Sequence, residues 1–164
     1  MSMLSWIDSA PPPTQARPRG ATGDEPGTVV VGLDETRTSL NALDYAAGLA
    51  RRQGRRLVAV HAHPVRPVGT AFDFAGVIDD ELRWLRERIV TLRAEVSRVA
   101  EQCALDASFE VRLGEPLRQL VAVAGERGAE VVVIGAPTRP SRWRPPSLAA
   151  RLTRRCGWPV VVVP

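Results

Sequence analysis

The chain contains no lysine: all 22 of its basic residues are arginine. That absence excludes whole chemistries. A Walker-type phosphate loop needs its lysine, and pyridoxal chemistry needs a Schiff-base lysine. A phosphoacceptor receiver domain needs an aspartate at the end of its third strand and a lysine further on. Here the corresponding stretch is Leu113-Gly114-Glu115, so that class is excluded too. Cysteine is nearly absent. Cys103 and Cys156 lack metal-ligand spacing and fall in apolar helical registers, which predicts buried free thiols in a reducing compartment. No stretch approaches the roughly 20 apolar residues that span a bilayer. Residues 1–20 lack a basic start followed by an apolar core, so no secretory signal is read and a cytoplasmic location is expected. Aromatic residues make up only 5% of the chain, and the arginines are scattered over helix faces rather than gathered with aromatics on one surface. The net charge of +4 is therefore read as a compositional bias towards arginine and alanine, and neither nucleic acid nor membrane is expected as a partner.

The 164 residues are 45% apolar and 24% charged, an ordinary balance for one globular domain. Residues 1–27 carry Pro11, Pro12 and Pro13 in a Pro/Gly/Ala/Thr-rich setting without apolar period, and are expected to form a disordered tail. The packed domain is expected to span residues 28–164. It opens on Thr28-Val29-Val30-Val31-Gly32-Leu33, a β-branched run of the kind covered on both faces. Leu40, Leu43, Ala47 and Ala50 then recur at helical spacing, with Thr36 or Thr38 available as N-cap and Gly54 as the stop. A second strand, Leu57 to Ala62, ends at His63-Pro64. Beyond an irregular loop from Val65 to about Phe74, Leu82, Leu85, Ile89, Leu92, Val96, Val99 and Cys103 form one buried helical stripe.

Phe109, Val111 and Leu113 alternate with Ser108, Glu110 and Arg112, which predicts a half-exposed edge strand. Gly114-Glu115-Pro116 opens the next helix, whose inward residues are read as Leu117, Leu120, Val121 and Ala124, with Gly128 as the stop. Val131 to Gly135 is again a doubly covered strand. An Arg/Pro/Trp-rich loop, a short helix from Ser147 to Cys156 and a last strand, Val160–Val163, complete the chain. Alternating strands and helices predict an α/β fold with a parallel sheet and right-handed crossovers. In such sheets ligands sit beyond the carboxyl ends of the strands, where the strand order reverses.

No catalytic set is read, and the protein is expected not to be an enzyme. His61 and His63 lie two apart at a strand end, so they point the same way and could form a metal pair. No third ligand is assured, Asp73 and Asp79 being near only in sequence, and polar strand-end residues explain them better. Glu115, Glu126 and Glu130 are read as helix-end charges, and Ser147 as a helix cap.

Three segments together resemble the universal stress protein family. Val29-Val30-Val31-Gly32-Leu33-Asp34-Glu35-Thr36 is similar to its first strand and turn. Gly114-Glu115-Pro116, a helix, and Gly128 to Gly135 are similar to its third helix and fourth strand. Cys156-Gly157-Trp158-Pro159 followed by four valines is similar to its last strand. The resemblance covers residues 28–164. It implies a single-domain three-layer sandwich, a five-stranded parallel sheet of order 3-2-1-4-5 with helices on both faces, and a homodimer joined through Val160, Val161, Val162 and Val163. Asp34 and Gly135 would then open onto the ligand crevice.

ATP-binding members of that family share a loop of the form G-x2-G-x9-G-[S/T] after the fourth strand. Glycines there let backbone N–H groups approach the phosphates, beside a helix N-terminus. In this chain Gly135 matches the first position, Thr138 replaces the second glycine, Pro146 replaces the third, and Ser147 matches the last. Only the seven residues 139–145 lie between Thr138 and Pro146, against nine in the family pattern. Proline also removes an N–H where phosphate would be held. The reading is a non-catalytic stress-response binding or regulatory domain, with a possible protein partner, that does not bind ATP tightly and has no cofactor. The alternative is an ATP- or AMP-binding regulatory protein in which Arg139, Arg142 and Arg144 supply the phosphate contacts. Its site would comprise Asp34, Gly135, Thr138, Arg139, Arg142 and Ser147.

Overall fold

The computed structural model describes residues 26–64, 75–137, 147–155 and 157–164. The expected tail therefore lies, but for its last two residues, outside the described residues, as do Thr138, Arg139, Arg142, Arg144, Pro146 and Cys156. The elements follow in the order β1 (Thr28–Gly32), α1 (Arg37–Gln53), β2 (Arg56–His63), α2 (Ala75–Cys103), β3 (Ala107–Leu113), α3 (Pro116–Glu126), β4 (Ala129–Gly135), α4 (Leu148–Arg155) and β5 (Val160–Val163). The five strands form one sheet of order β3-β2-β1-β4-β5, parallel throughout. This is the α/β architecture expected from the sequence.

The valine runs explain why β1 and β4 are central. Alternate residues of a strand face opposite sides, so a run of valines serves two cores at once. Val29, Val31, Leu57, Ala59 and Val133 pack with Leu43 of α1 and Leu92 of α2. Val30, Val58, Val60 and Val132 pack on the other face with Leu117 and Leu120 of α3 and Leu152 of α4.

Local chemistry fixes the helix ends. Thr36 caps α1, its side chain accepting from the Ser39 N–H, and Gly54 ends α1 in the left-handed region at φ 61°. Ser147 precedes α4 and its hydroxyl accepts the Ala150 N–H at 3.3 Å. The helix itself runs Leu148–Arg155, inside the expected bounds.

Three packing details differ from the sequence reading. In α3 Val123, not Val121, is fully buried, because Leu120, Val123 and Ala124 share the stripe that meets the sheet. At the end of β3 Leu113 is exposed, while Glu110 is largely buried between Arg112 and Arg127, which it pairs at 2.7 and 2.6 Å. Charge pairing lets this edge position cover a carboxylate in place of an apolar side chain. Glu130 lies within β4 and pairs with Arg55, so it is not a helix-end charge. No helix among the described residues is long and apolar enough to cross a membrane.

Candidate functional site

β1 pairs with β2 on one side and β4 on the other, so the chain leaves the carboxyl ends of β1 and β4 in opposite directions. The crevice predicted at that switch point is present. It is a cleft of about 330 Å³ whose lining includes Asp34, Thr36, Ser39, Leu120, Gly135 and Ser147. Three of the six sequence-predicted site residues, Asp34, Gly135 and Ser147, thus converge on one cleft. The other three, Thr138, Arg139 and Arg142, lie outside the described residues.

Asp34 anchors a compact turn. Its Oδ1 accepts from the Thr36 N–H at 2.8 Å and from the Thr36 hydroxyl at 2.5 Å. Its own N–H donates to Ser39 Oγ at 3.1 Å, and the Ser39 hydroxyl donates to the Asp34 carbonyl at 2.5 Å. Burial raises the Asp34 pKa, but hydrogen bonds from Thr36 and Ser39 and the nearby Arg88 charge outweigh it and hold it below 3.8. The cleft therefore keeps a fixed negative charge at its mouth at neutral pH.

Gly135 serves packing directly. A Cβ at this position would lie 2.6 Å from Ser39 N and Thr38 C and 2.8 Å from Thr38 O. The first turn of α1 crosses β4 there with no space for a side chain. The Thr38 hydroxyl then donates to the Ala136 carbonyl at 2.8 Å, and the Ala136 N–H donates to Val163 at 2.6 Å. Ser147 caps α4, and Arg151 of the same helix pairs with Glu115, the N-cap of α3, at 2.9 Å. Thr36, Thr38 and Ser39 build the site; the sequence reading treated Thr36 and Thr38 only as turn and cap and did not single out Ser39. The Asp34-Glu35-Thr36 turn pattern carries a local signal for two of these bonds; the Thr38–Ala136 contact carries none.

The two histidines separate in role. His61 is buried and its Nδ1 lies 2.9 Å from the Leu33 carbonyl, so Nδ1 carries the proton; His63 is less buried, its ring centroid 6.4 Å away. Among the described residues, no group of three or more His, Cys, Asp and Glu is placed to share a metal ion.

Burial pushes the His61 pKa below 6.5, with Arg88 and His63 acting in the same sense and the Leu33 bond and Asp34 opposing. The unfolded chain then binds more protons in this range, so stability is full above 6.5 and falls as pH drops through the folded value. Urea midpoints are expected to decline steadily from neutral pH into the acid range, and the decline to flatten in His61→Gln. A midpoint independent of pH across that range would contradict this account.

The model of the universal stress protein family matches residues 26–164. The chain belongs to that family. Among solved structures it is similar to a universal stress protein from Burkholderia pseudomallei, at 24% identity and a TM-score of 0.66, covering 87% of this chain and 99% of that one. A universal stress protein solved in complex with cAMP is 25% identical, with a TM-score of 0.66 and coverage of 84% and 97%. One from Archaeoglobus fulgidus, solved in complex with dAMP, is 21% identical, with a TM-score of 0.62 and coverage of 84% and 98%. No curated protein matches the chain.

Proposed function

We propose that this universal stress protein is a non-catalytic regulatory domain of the cytoplasmic stress response whose cleft does not hold ATP tightly. The observation that carries the reading is Pro145-Pro146 immediately before Ser147, where family members that bind ATP place a glycine. Proline offers no N–H to a phosphate and fixes φ near −65°, so the backbone can neither donate nor bend towards a ligand there. Other groups around the cleft point the same way. Pro116 and Pro137 in its wall have no N–H, and the Thr36 and Ala136 N–H groups bond to Asp34 and Val163. Asp34 adds a negative charge that repels phosphate. The first turn of α4, whose leading N–H groups have no partner within the helix, gives a single anchoring point in place of a cradle.

A second reading, a nucleotide-binding regulator, draws support from the cAMP and dAMP complexes of similar proteins. In that case Arg139, Arg142 and Arg144 would hold the phosphates. Thermal-shift measurements with ATP, AMP and cyclic AMP separate the readings, because a ligand that binds only the native state raises the melting temperature with its occupancy. The first reading expects no shift at micromolar nucleotide; a shift of several degrees with any of the three favours the second.

The same reading includes a homodimer formed through β5. This strand ends the sheet with four valines, and Val162 is exposed. An apolar edge is an aggregation hazard unless paired, and two-fold pairing with its mate removes it. Light scattering at micromolar concentration is expected to give twice the chain mass, and a monomer mass would overturn the idea.

A further inference from the structure

The switch-point cleft is poor in donors but offers an accessible acceptor. Asp34 is exposed and is the only ionisable side chain among the described residues of its lining. An ionised carboxylate accepts at about four sites. Both bonds from Thr36 fall on Oδ1, which leaves Oδ2 able to accept from outside. The Thr36 and Ser39 hydroxyls donate to Asp34 itself, so neither is a competing donor. Half-buried Ala62, Pro116 and Leu148, from β2, α3 and α4, line the same cleft. A compact apolar body with one N–H at its edge suits this lining, and an indole has that form.

The chain carries such a group on a tether. Residues 8–27 contain no Val, Leu, Ile, Met or aromatic residue, whereas Met3-Leu4-Ser5-Trp6-Ile7 ahead of them is apolar but for Ser5. That segment lies outside the described residues, and β1 begins at Thr28, at the amino end of the sheet. From Gly27 to Asp34, seven residues of near-extended chain cover about 23 Å. The 19 residues 8–26 have a root-mean-square reach of about 25 Å. A tether whose reach matches its span presents its end at an effective concentration of about a millimolar. A contact with a dissociation constant of about 1 mM is then about half formed.

We propose that residues 3–7 dock in the cleft of their own chain, the Trp6 indole N–H donating to Asp34 and its ring packing on Pro116 and Leu148. The tail then divides into a docking segment and a tether, and the segment competes with whatever else enters the cleft. The proposal rests on the reading of the cleft as unable to cradle phosphate.

Spectra of the full chain labelled with ¹⁵N contain no nucleotide, so their outcome does not depend on the affinity for ATP. The Trp6 indole signal, assigned by its loss in Trp6→Ala, is expected away from the free-indole position. Trp6→Ala is expected to move the amides of Asp34, Leu148 and Ala149, and Asp34→Asn to return the Trp6 signal towards the free position. N-acetyltryptophanamide at millimolar concentration is expected to shift those same amides. It is expected to bind Trp6→Ala about two- to fivefold more tightly than the natural chain, the factor set by a tethered competitor. A Trp6 signal at the free-indole position in the natural chain, unmoved by Asp34→Asn, overturns the proposal. Shifts at Trp84 or Val162 in place of the cleft also overturn it, as does a Trp6 shift lost on dilution, which marks a second copy as the occupant.

Discussion

Gly135→Ala is expected to destabilise the fold by about 3 kcal/mol, the upper end of what overpacking a tight contact costs. The added methyl would meet Ser39 N, Thr38 C and Thr38 O, all within 2.8 Å. These are backbone atoms, so no rotamer change relieves the clash, and the first turn of α1 must move away from β4. That movement also strains the Thr38 bond to Ala136. Gly54→Ala is the matched control: its φ is 61° but nothing lies within 4 Å of the added carbon. Only the left-handed conformation resists there, at about 1–2 kcal/mol. Urea unfolding followed by far-UV circular dichroism distinguishes them, the Gly135 variant being the more destabilised. Equal losses would show that Gly135 is not set by packing. The glycine that matches the first position of the family's phosphate loop thus has a structural requirement that persists without any nucleotide.

Rebuilding the loop is expected to create affinity that the natural chain lacks. Each charge-assisted hydrogen bond to phosphate contributes roughly 1.5–3 kcal/mol, so absence of two of them weakens binding by about 10²–10⁴-fold. Thr138→Gly together with Pro146→Gly restores two close backbone approaches, though not the two missing residues of the loop. A gain of about 10²-fold in Mg-ATP affinity is the expected result. Arg139, Arg142 and Arg144 changed to alanine in the natural chain are expected to alter it little. If that triple change instead abolishes measurable binding, guanidinium groups have replaced the glycine backbone.

Most of the fold was legible because its central strands are written twice over. Val29 to Val31 and Val131 to Val133 are β-branched at consecutive positions, a pattern that favours a strand covered on both faces. Thr36 and Gly54 mark the ends of α1 by chemistry that acts within one turn. The less legible features depend on contacts between distant segments. Val123 and Val121 are equally apolar, and only the docking of α3 on the sheet chooses between them. Glu110 is polar in sequence and largely buried in the fold because Arg112 and Arg127 converge on it. In the candidate site, Asp34, Gly135 and Ser147 were legible through the family pattern, each beside a turn or cap. The contact that joins the first turn of α1 to the end of β4, Thr38 to Ala136, spans 98 residues and leaves no local trace. His61 was legible as a strand-end residue, but its burial and its bond to Leu33 follow from the neighbouring strand.

Titration calorimetry of the natural chain with Mg-ATP tests the central claim most directly. The departures at Thr138 and Pro146, the shortened loop and the fixed Asp34 charge predict a dissociation constant well above the micromolar range, or no measurable heat. A low-micromolar constant with one site per chain would contradict the account.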